Sequence, residues 1–182
     1  MMPEKVKPIT QKRLMNAALS YLEKYESSSQ NLRSILQRRI LRAEKKGAVV
    51  PSQAQEWIAS VIEEVKRLGY VDDKRFVLST TEKYRNAGKS EKFIRQKLTQ
   101  AGIPSDMQKE LLSENENKQE MELQAALILV RKKKLGPFRT AEEQKLFRKK
   151  DLAVLARAGF SYKTAVEALG KAEQEDDEYV WD

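Results

Sequence analysis

Residues 52–70, SQAQEWIASVIEEVKRLGY, carry the helical pattern from which the fold can be predicted. Ser52 and Gln55 match a capping box at the start of a helix, and Gly69 stands where a glycine commonly ends one. Between them, apolar side chains recur at the three- and four-residue spacing of a single helix face. They are Trp57, Ile58, Val61, Ile62, Val65 and Leu68. The segment therefore predicts an amphipathic helix whose apolar face must pack against neighbouring elements.

The same helical period continues on both sides of this segment. Upstream it covers residues 14–25 and residues 30–46, with Ser29 as the N-cap of the second stretch and Gly47 at its end. Downstream, further helix starts are expected at Asp72, Ser90, Ser105, Thr140 (with Glu143 in a second capping box) and Ser161, and near Asn117. No stretch alternates with period two for long enough to predict a strand. We therefore predict an all-α fold.

The predicted helices fall into three groups of three. A glycine followed by an apolar residue recurs at positions 69, 102 and 159, although the spacings of 33 and 57 residues are unequal. We therefore predict three tandem three-helix repeats that stack into an elongated, curved array. The predicted divisions are a basic N-terminal segment (1–13), repeat 1 (14–71, with an insertion at about 40–53), repeat 2 (72–115), repeat 3 (116–170) and an acidic tail (171–182).

The composition of the chain excludes several classes of chemistry. The 182 residues contain neither Cys nor His, which excludes disulfides, Cys/His zinc sites and histidine-dependent catalytic triads. Seven glycines form neither of the common nucleotide-binding loops. No apolar run is long enough to span a membrane, and the first residues do not match a signal peptide. We therefore expect a cytoplasmic protein that is not an enzyme and has no cofactor or metal.

The net charge of +8 is unevenly distributed along the chain. It is +7 in residues 1–50, +2 in residues 51–110, +4 in residues 111–150 and −5 in residues 151–182. A basic body with an acidic end predicts attraction to a polyanion, with the acidic end as a competitor or a solubilising segment. The plainer alternative is that these charges lie on solvated helix faces.

Three motifs follow one another along the chain. Residues 68–76, LGYVDDKRF, resemble the L-G-Y-[LI]-[DN]-D-x-[RK]-[FY] segment of the RecX family, and all three motifs occur in that family's order. Residues 88–103 resemble its G-x-x-x-[IL]-x-x-x-L-x-x-x-G-[IV] segment, with a shift of one or two positions. Residues 155–162, LARAGFSY, resemble its closing L-x-R-[RK]-G-F-[SD]-Y motif. With the resemblance covering about residues 14–170, the sequence is identified as a member of this family.

The resemblance implies a regulator that carries out no catalysis. RecX proteins consist of three-helix repeats, lie in the groove of the RecA recombinase filament, and usually inhibit its ATPase, strand-exchange and co-protease activities. They also bind DNA. We therefore expect a monomeric protein whose partners are the RecA–single-stranded-DNA filament and single- or double-stranded DNA, with a role in homologous recombination, DNA repair and the SOS response. The chain departs from the family in its basic N-terminus, its longer second helix and its acidic tail.

Two other functions remain open from the sequence. One is a stand-alone DNA- or RNA-binding helical module that acts without a recombinase. The other is a helical adaptor that binds only proteins. The aspartate pair at residues 72–73 is interpreted as a helix cap with a first-turn charge rather than as a catalytic pair.

Three basic clusters are the candidate sites for a partner or DNA. The first comprises Arg33, Arg38, Arg39, Arg42, Lys45 and Lys46, the second Lys89, Lys92, Arg95 and Lys97, and the third Arg131, Lys132, Lys133 and Lys134. In the first, residues 38–46 place five cations within an arc of roughly 120°, which suits DNA phosphates or an acidic filament groove. The second lies near a helix N-terminus, where cations are disfavoured and an external anion would compensate. The third lies at a helix C-terminus, where the helix dipole favours cations.

Overall fold

The computed structural model describes residues 8–113 and 117–171, and every regular element in them is helical. The elements are α1 (Gln11–Leu22), α2 (Ser29–Lys45), α3 (Ala54–Arg67), α4 (Asp73–Asn86), α5 (Glu91–Gln100), α6 (Ser105–Ser113), α7 (Lys118–Lys133), a 3-10 turn (Gly136–Phe138), α8 (Ala141–Arg157) and α9 (Tyr162–Lys171). The predicted all-α fold is confirmed. More than half of the predicted basic N-terminal segment and nearly all of the predicted acidic tail lie outside the described residues.

The chain divides into two compact units. One unit contains the residues up to 76 together with Ala101–Ile103, and the other contains residues 77–100 and those from 104 onward. The division into three repeats remains a prediction. Among the described residues, no helix combines the length and the apolar character that crossing a lipid bilayer requires.

The core of the first unit lies between α1, α2 and α3, as the apolar stripes predict. Its fully buried side chains are Leu32, Leu36, Ile58, Val61, Ile62 and Val65. Burial of one such side chain contributes about 1.5–3 kcal/mol to the free energy of folding. Trp57, which shares their helix, is half-buried and packs against the edge of this core.

The second unit has its own core, in which α7 packs on α9 and α8 packs on α9 and on the 3-10 turn. Its buried apolar side chains include Leu123, Ala126, Val130, Leu155, Phe160, Ala168 and Leu169. Further buried side chains are Val77 on α4, Ile94 and Leu98 on α5, and Leu112 on α6. The core of the second unit is therefore formed by the apolar faces of α7, α8 and α9, with the 3-10 turn packed against it.

Most of the predicted helix starts are confirmed. N-cap hydrogen bonds form at Asp72, Ser90, Thr140 and Ser161, and Thr140 forms the predicted capping box with Glu143. At α2 the prediction is wrong by one residue. Ser28, not Ser29, is the N-cap, because the hydroxyl of Ser28 accepts the Asn31 N–H at 3.1 Å.

The helix at residues 54–67 differs from its prediction at both ends. The capping box expected at residues 52–55 does not form, since Gln53 occupies the N-cap position without a side-chain hydrogen bond. The Ala54 N–H instead bonds to the Pro51 carbonyl at 3.0 Å, so a backbone turn leads into the helix. Leu68 was expected in the core but is 48% exposed, because it occupies the C-cap position beyond the last helical turn.

Candidate partner-binding surfaces

The start of α2 is closed by contacts with residues far away in the sequence. The Ser28 hydroxyl, besides capping α2, donates a short hydrogen bond to the carbonyl of Ala101. The Asp73 carboxylate accepts the Ser29 N–H at 2.8 Å and the Ser29 hydroxyl at 2.6 Å. Gly102 has a φ of +76°, and a Cβ at this position would overlap the side chain of Gln30. We call this set of contacts, all within the first unit, the first serine–carbonyl joint.

The second unit contains a joint of the same chemistry at the start of α5. The Ser90 hydroxyl accepts the Phe93 N–H at 3.3 Å and donates to the carbonyl of Ala158 at 2.7 Å. The Glu122 carboxylate accepts the Glu91 N–H at 2.9 Å, as Asp73 accepts the N–H of Ser29. Each joint thus consists of a serine N-cap, a carbonyl that directly precedes a positive-φ glycine, and a carboxylate from a third helix. This set is the second serine–carbonyl joint.

The glycine of the second joint is required by the close approach of its neighbours. Gly159 has a φ of +95°, and a Cβ there would lie 2.6 Å from the Ser90 Oγ and 3.2 Å from the Lys92 Cβ. A side chain at Gly159 would therefore combine backbone strain with steric overlap. This geometry explains why a glycine follows the C-cap of α8.

The aspartate pair at residues 72–73 has two separate structural roles. Asp72 accepts the Arg75 N–H at 3.0 Å, and this bond lowers the pKa of the Asp72 carboxyl. Asp73 belongs to the first serine–carbonyl joint. Within residues 8–113 and 117–171, no group of three or more carboxylates comes together in a way that would hold a metal ion.

The first basic cluster is exposed along the second half of α2. Five of its six cations are exposed: Arg38, Arg39, Arg42, Lys45 and Lys46. None of these five forms an ion pair with a carboxylate in the described part of the chain. Arg33 lies about 140° away from Arg38 around the helix and is half-buried. We call the five exposed cations the α2 ridge, from which Arg33 is separate.

The second basic cluster is divided among several internal contacts. The ammonium groups of Lys89 and Lys97 lie 5.1 and 5.5 Å from the centroid of the Phe93 ring, one cation–π contact each. Arg95 forms an ion pair with Glu91 at 2.7 Å, while Lys92 is exposed. The structure therefore does not bring the four residues together as one free cationic surface.

The start of α5 is close to carboxylates of the chain itself. Burial raises the pKa of Glu91, but hydrogen bonds and charge interactions with Arg95 and Lys118 together outweigh it, so this pKa lies below the usual value. Burial raises the pKa of Glu122, and the Glu91 carboxylate adds to that effect. Two carboxylates of the chain therefore lie at the start of α5 beside the second basic cluster, and an external anion at this site stays a prediction.

The third basic cluster is exposed around the C-terminal end of α7. Its last residue, Lys134, adopts the left-handed conformation (φ 51°, ψ 51°) and closes the helix, with the Leu135 N–H bonded to the Val130 carbonyl at 3.0 Å. Lys134 is the one residue other than glycine with a positive φ in the described chain. A non-glycine residue in this conformation costs roughly 1–2 kcal/mol. One cation of the cluster, Lys134, therefore has a backbone conformation that lysine disfavours.

A fourth cationic surface lies on α8, where the sequence analysis did not place a site. Lys145, Arg148 and Lys149 are exposed at the i, i+3, i+4 spacing of one side of the helix, and Leu146 among them is 74% exposed. None of the three cations forms an ion pair with a described carboxylate. We call these four residues the α8 face. Its i, i+3, i+4 spacing is the sequence signal that would have identified it.

Comparison with known proteins connects these observations to a family, although no family model matches the sequence. Regulatory protein RecX of Myxococcus xanthus is 35% identical over 171 residues, which cover 92% of this chain and 88% of the relative. Regulatory protein RecX of Agrobacterium fabrum is 25% identical over 167 residues, which cover 92% and 87%.

A solved structure shares the fold. RecX from Lactobacillus salivarius superimposes with a TM-score of 0.65 at 18% identity, and the match covers 90% of this chain and 96% of that one. The likeness extends over nearly the whole of both chains, so the helical arrangement is common to them. The resemblance inferred from the three motifs is confirmed, and the chain belongs to the RecX family.

Proposed function

We propose that this protein is a non-catalytic regulator that binds the RecA–single-stranded-DNA filament and lowers its ATPase, strand-exchange and co-protease activities. The observation that carries the proposal is the 35% identity with regulatory protein RecX of Myxococcus xanthus over most of both chains. Such a regulator acts in homologous recombination, DNA repair and the SOS response.

Two serine–carbonyl joints with the same parts support a repeated architecture. Ser28 and Ser90 cap equivalent helices, and each donates to the carbonyl that precedes a positive-φ glycine. Three tandem three-helix repeats have two successive contacts of this kind, one for each neighbouring pair. We therefore keep the predicted repeats, 14–71, 72–115 and 116–170, as part of the proposal.

The α2 ridge is the surface that we propose meets the filament or its DNA. Its five exposed cations have no described carboxylate partner, so their charge is available to phosphates or to acidic side chains. Contacts of this type weaken steeply with salt, because counterions are released from nucleic acid on binding.

The test is ATP hydrolysis by the cognate recombinase on single-stranded DNA during titration with this protein. We expect the rate to fall as the protein is added, and the variant R38E/R42E to inhibit more weakly. K12E/K24E is the matched control, since it reverses the same number of exposed charges near α1. An unchanged ATPase rate at stoichiometric excess and low salt would count against the proposed function. Equal inhibition by both double variants would exclude the ridge.

The second candidate function is a stand-alone nucleic-acid-binding module. The cation-flanked rings of Phe93 and Phe147 favour it, because aromatic rings beside cations are typical of surfaces that bind single strands. The two functions differ in the affinity for bare DNA and for preformed filament. Equal affinity for both would favour the second candidate, and a clear preference for filament favours the regulator.

A further inference from the structure

The contacts of α9 show where its C-terminal end lies in the second unit. A Cβ at Gly136 would lie 2.7 Å from the Leu169 Cδ2, so the last turns of α9 lie directly against the 3-10 turn. The Gly136 N–H in turn bonds to the Asp151 carboxylate of α8 at 2.8 Å. The end of α9 is therefore next to the middle of α8. Leu146 lies about 7.5 Å along the helix from Asp151.

The residues that follow α9 are long enough to cover α8. Eleven residues, 172–182, come after Lys171, and an extended segment of this length spans up to about 36 Å. This reach exceeds the whole length of α8, whose 17 residues extend over about 26 Å.

The chemistry of this segment is both acidic and apolar. Residues 173–182, EQEDDEYVWD, contain six carboxylate side chains and no basic residue, and the apolar run Tyr179-Val180-Trp181 stands among them. A binding surface for such a segment would offer several cations next to exposed apolar area.

The α8 face has both properties. Its three cations have no described carboxylate partner, and Leu146 exposes 74% of its surface among them. The other cationic surfaces of the second unit differ. Beside the third basic cluster, Ile128 is 37% exposed and packs against Gly88. In the second cluster, Lys89 and Lys97 already flank the ring of Phe93.

We propose that the acidic segment 173–182 binds the α8 face of its own chain, with carboxylates against Lys145, Arg148 and Lys149 and the Tyr-Val-Trp run over Leu146. The bound segment covers cations that the protein otherwise presents to an anionic partner. The acidic segment is thus an internal competitor for that partner. Only this competition, and not the binding itself, rests on the proposed function.

The binding is measured without any recombinase. In the variant W57F of the full chain, Trp181 is the remaining tryptophan, and acrylamide quenching of its fluorescence reports how far the segment is shielded. We expect strong shielding at low salt that is lost in 1 M NaCl, where the Debye length falls to about 3 Å. Circular dichroism of W57F checks that the helices remain folded.

A pair of triple variants tests the location of the segment. We expect K145E/R148E/K149E, made in the W57F background, to increase quenching of Trp181 several-fold at low salt. The matched control, K132E/K133E/K134E, reverses three charges of the third basic cluster and should leave the quenching unchanged. The proposal is overturned if Trp181 is quenched equally with and without the α8-face substitutions, or if the control releases it as well. Quenching that changes with protein concentration would show binding between molecules and overturn the intramolecular contact.

The competition is tested by ending the chain at residue 171. We expect the shortened protein to bind preformed filament several-fold more tightly at low salt, with the difference disappearing at high salt. If Trp181 is shielded and filament affinity does not change, the contact stands and its competitive role is wrong. A protein that binds no filament in either form contradicts the proposed function alone, because the fluorescence measurement does not depend on it.

Discussion

At the scale of single residues, Lys134 is strained by its own backbone. Its φ of 51° is a conformation that glycine adopts without steric cost, whereas lysine does not. We expect K134G to raise the free energy of unfolding by about 1 kcal/mol. Urea denaturation measures the change, and K133G is the control. It should lower stability, because Lys133 has helical geometry. A K134G protein less stable than the parent would contradict this prediction.

Asp151 is a buried carboxylate that depends on one cation. It accepts two hydrogen bonds from Arg139, at 2.9 and 3.0 Å, and one from the Gly136 N–H. The bond to Asp151 raises the pKa of Arg139, which therefore stays charged. Removing the guanidinium leaves the buried carboxylate without its partner, which is more costly than the absence of both charges.

The prediction from this pair is a partial rescue. We expect R139A to lower the melting temperature, and R139A/D151N to recover part of the loss, because the second substitution removes the unpaired charge. R148A, at an exposed position on α8, the helix that carries Asp151, is the control and should have little effect on the melting temperature. A double variant less stable than R139A would show that the pair does not act in this way.

At the scale of the helices, the second serine–carbonyl joint places two carboxylates with opposite pKa shifts close together. An acid whose pKa is raised on folding stabilises the fold below its unfolded pKa, and this contribution is lost as the pH rises through the folded pKa. Glu122 is such an acid, with a pKa above its usual value of 4.5. Its ionised form is therefore the less favourable one in the folded protein.

E122Q keeps a carbonyl oxygen for the Glu91 N–H and removes the charge. We expect its stability relative to the parent to increase as the pH rises through the folded pKa of Glu122, from above pH 4.5 towards neutrality. Thermal unfolding between pH 3.5 and 7.5 measures the difference. E120Q, exposed on the same helix, should follow the pH profile of the parent. A difference between E122Q and the parent that is constant with pH would show that Glu122 does not titrate as inferred.

The helices themselves could be predicted from the sequence, but the joints could not. Apolar spacing and cap residues identified each α-helix of the described residues, because both signals are local, whereas the 3-10 turn at residues 136–138 was not predicted. The joints connect Ser28 to Ala101 and Ser90 to Ala158, over 73 and 68 residues, and no local pattern encodes such a pairing. The same limit explains Gly159, which could be identified as a helix end but not as the contact point of Ser90.

At the scale of the whole molecule, the surface was predicted less completely than the fold. The five cations of the α2 ridge were found because their spacing places them on one arc. Leu146 was not assigned to a surface, although it lies nine residues before the buried Leu155, about 180° around α8. Because Leu146 lies on the opposite side of the helix from the buried Leu155, the spacing alone indicates that Leu146 is exposed. The cations beside it then define the α8 face.

The serine–carbonyl joints also affect how the helix ends unfold locally. One hydroxyl closes the beginning of a helix and the final carbonyl of another, so neither end frays without releasing the other. Local melting at such a point is shared between two helices rather than confined to one. In the second joint, a ligand that strains α5 or α8 will therefore loosen the ends of both helices together.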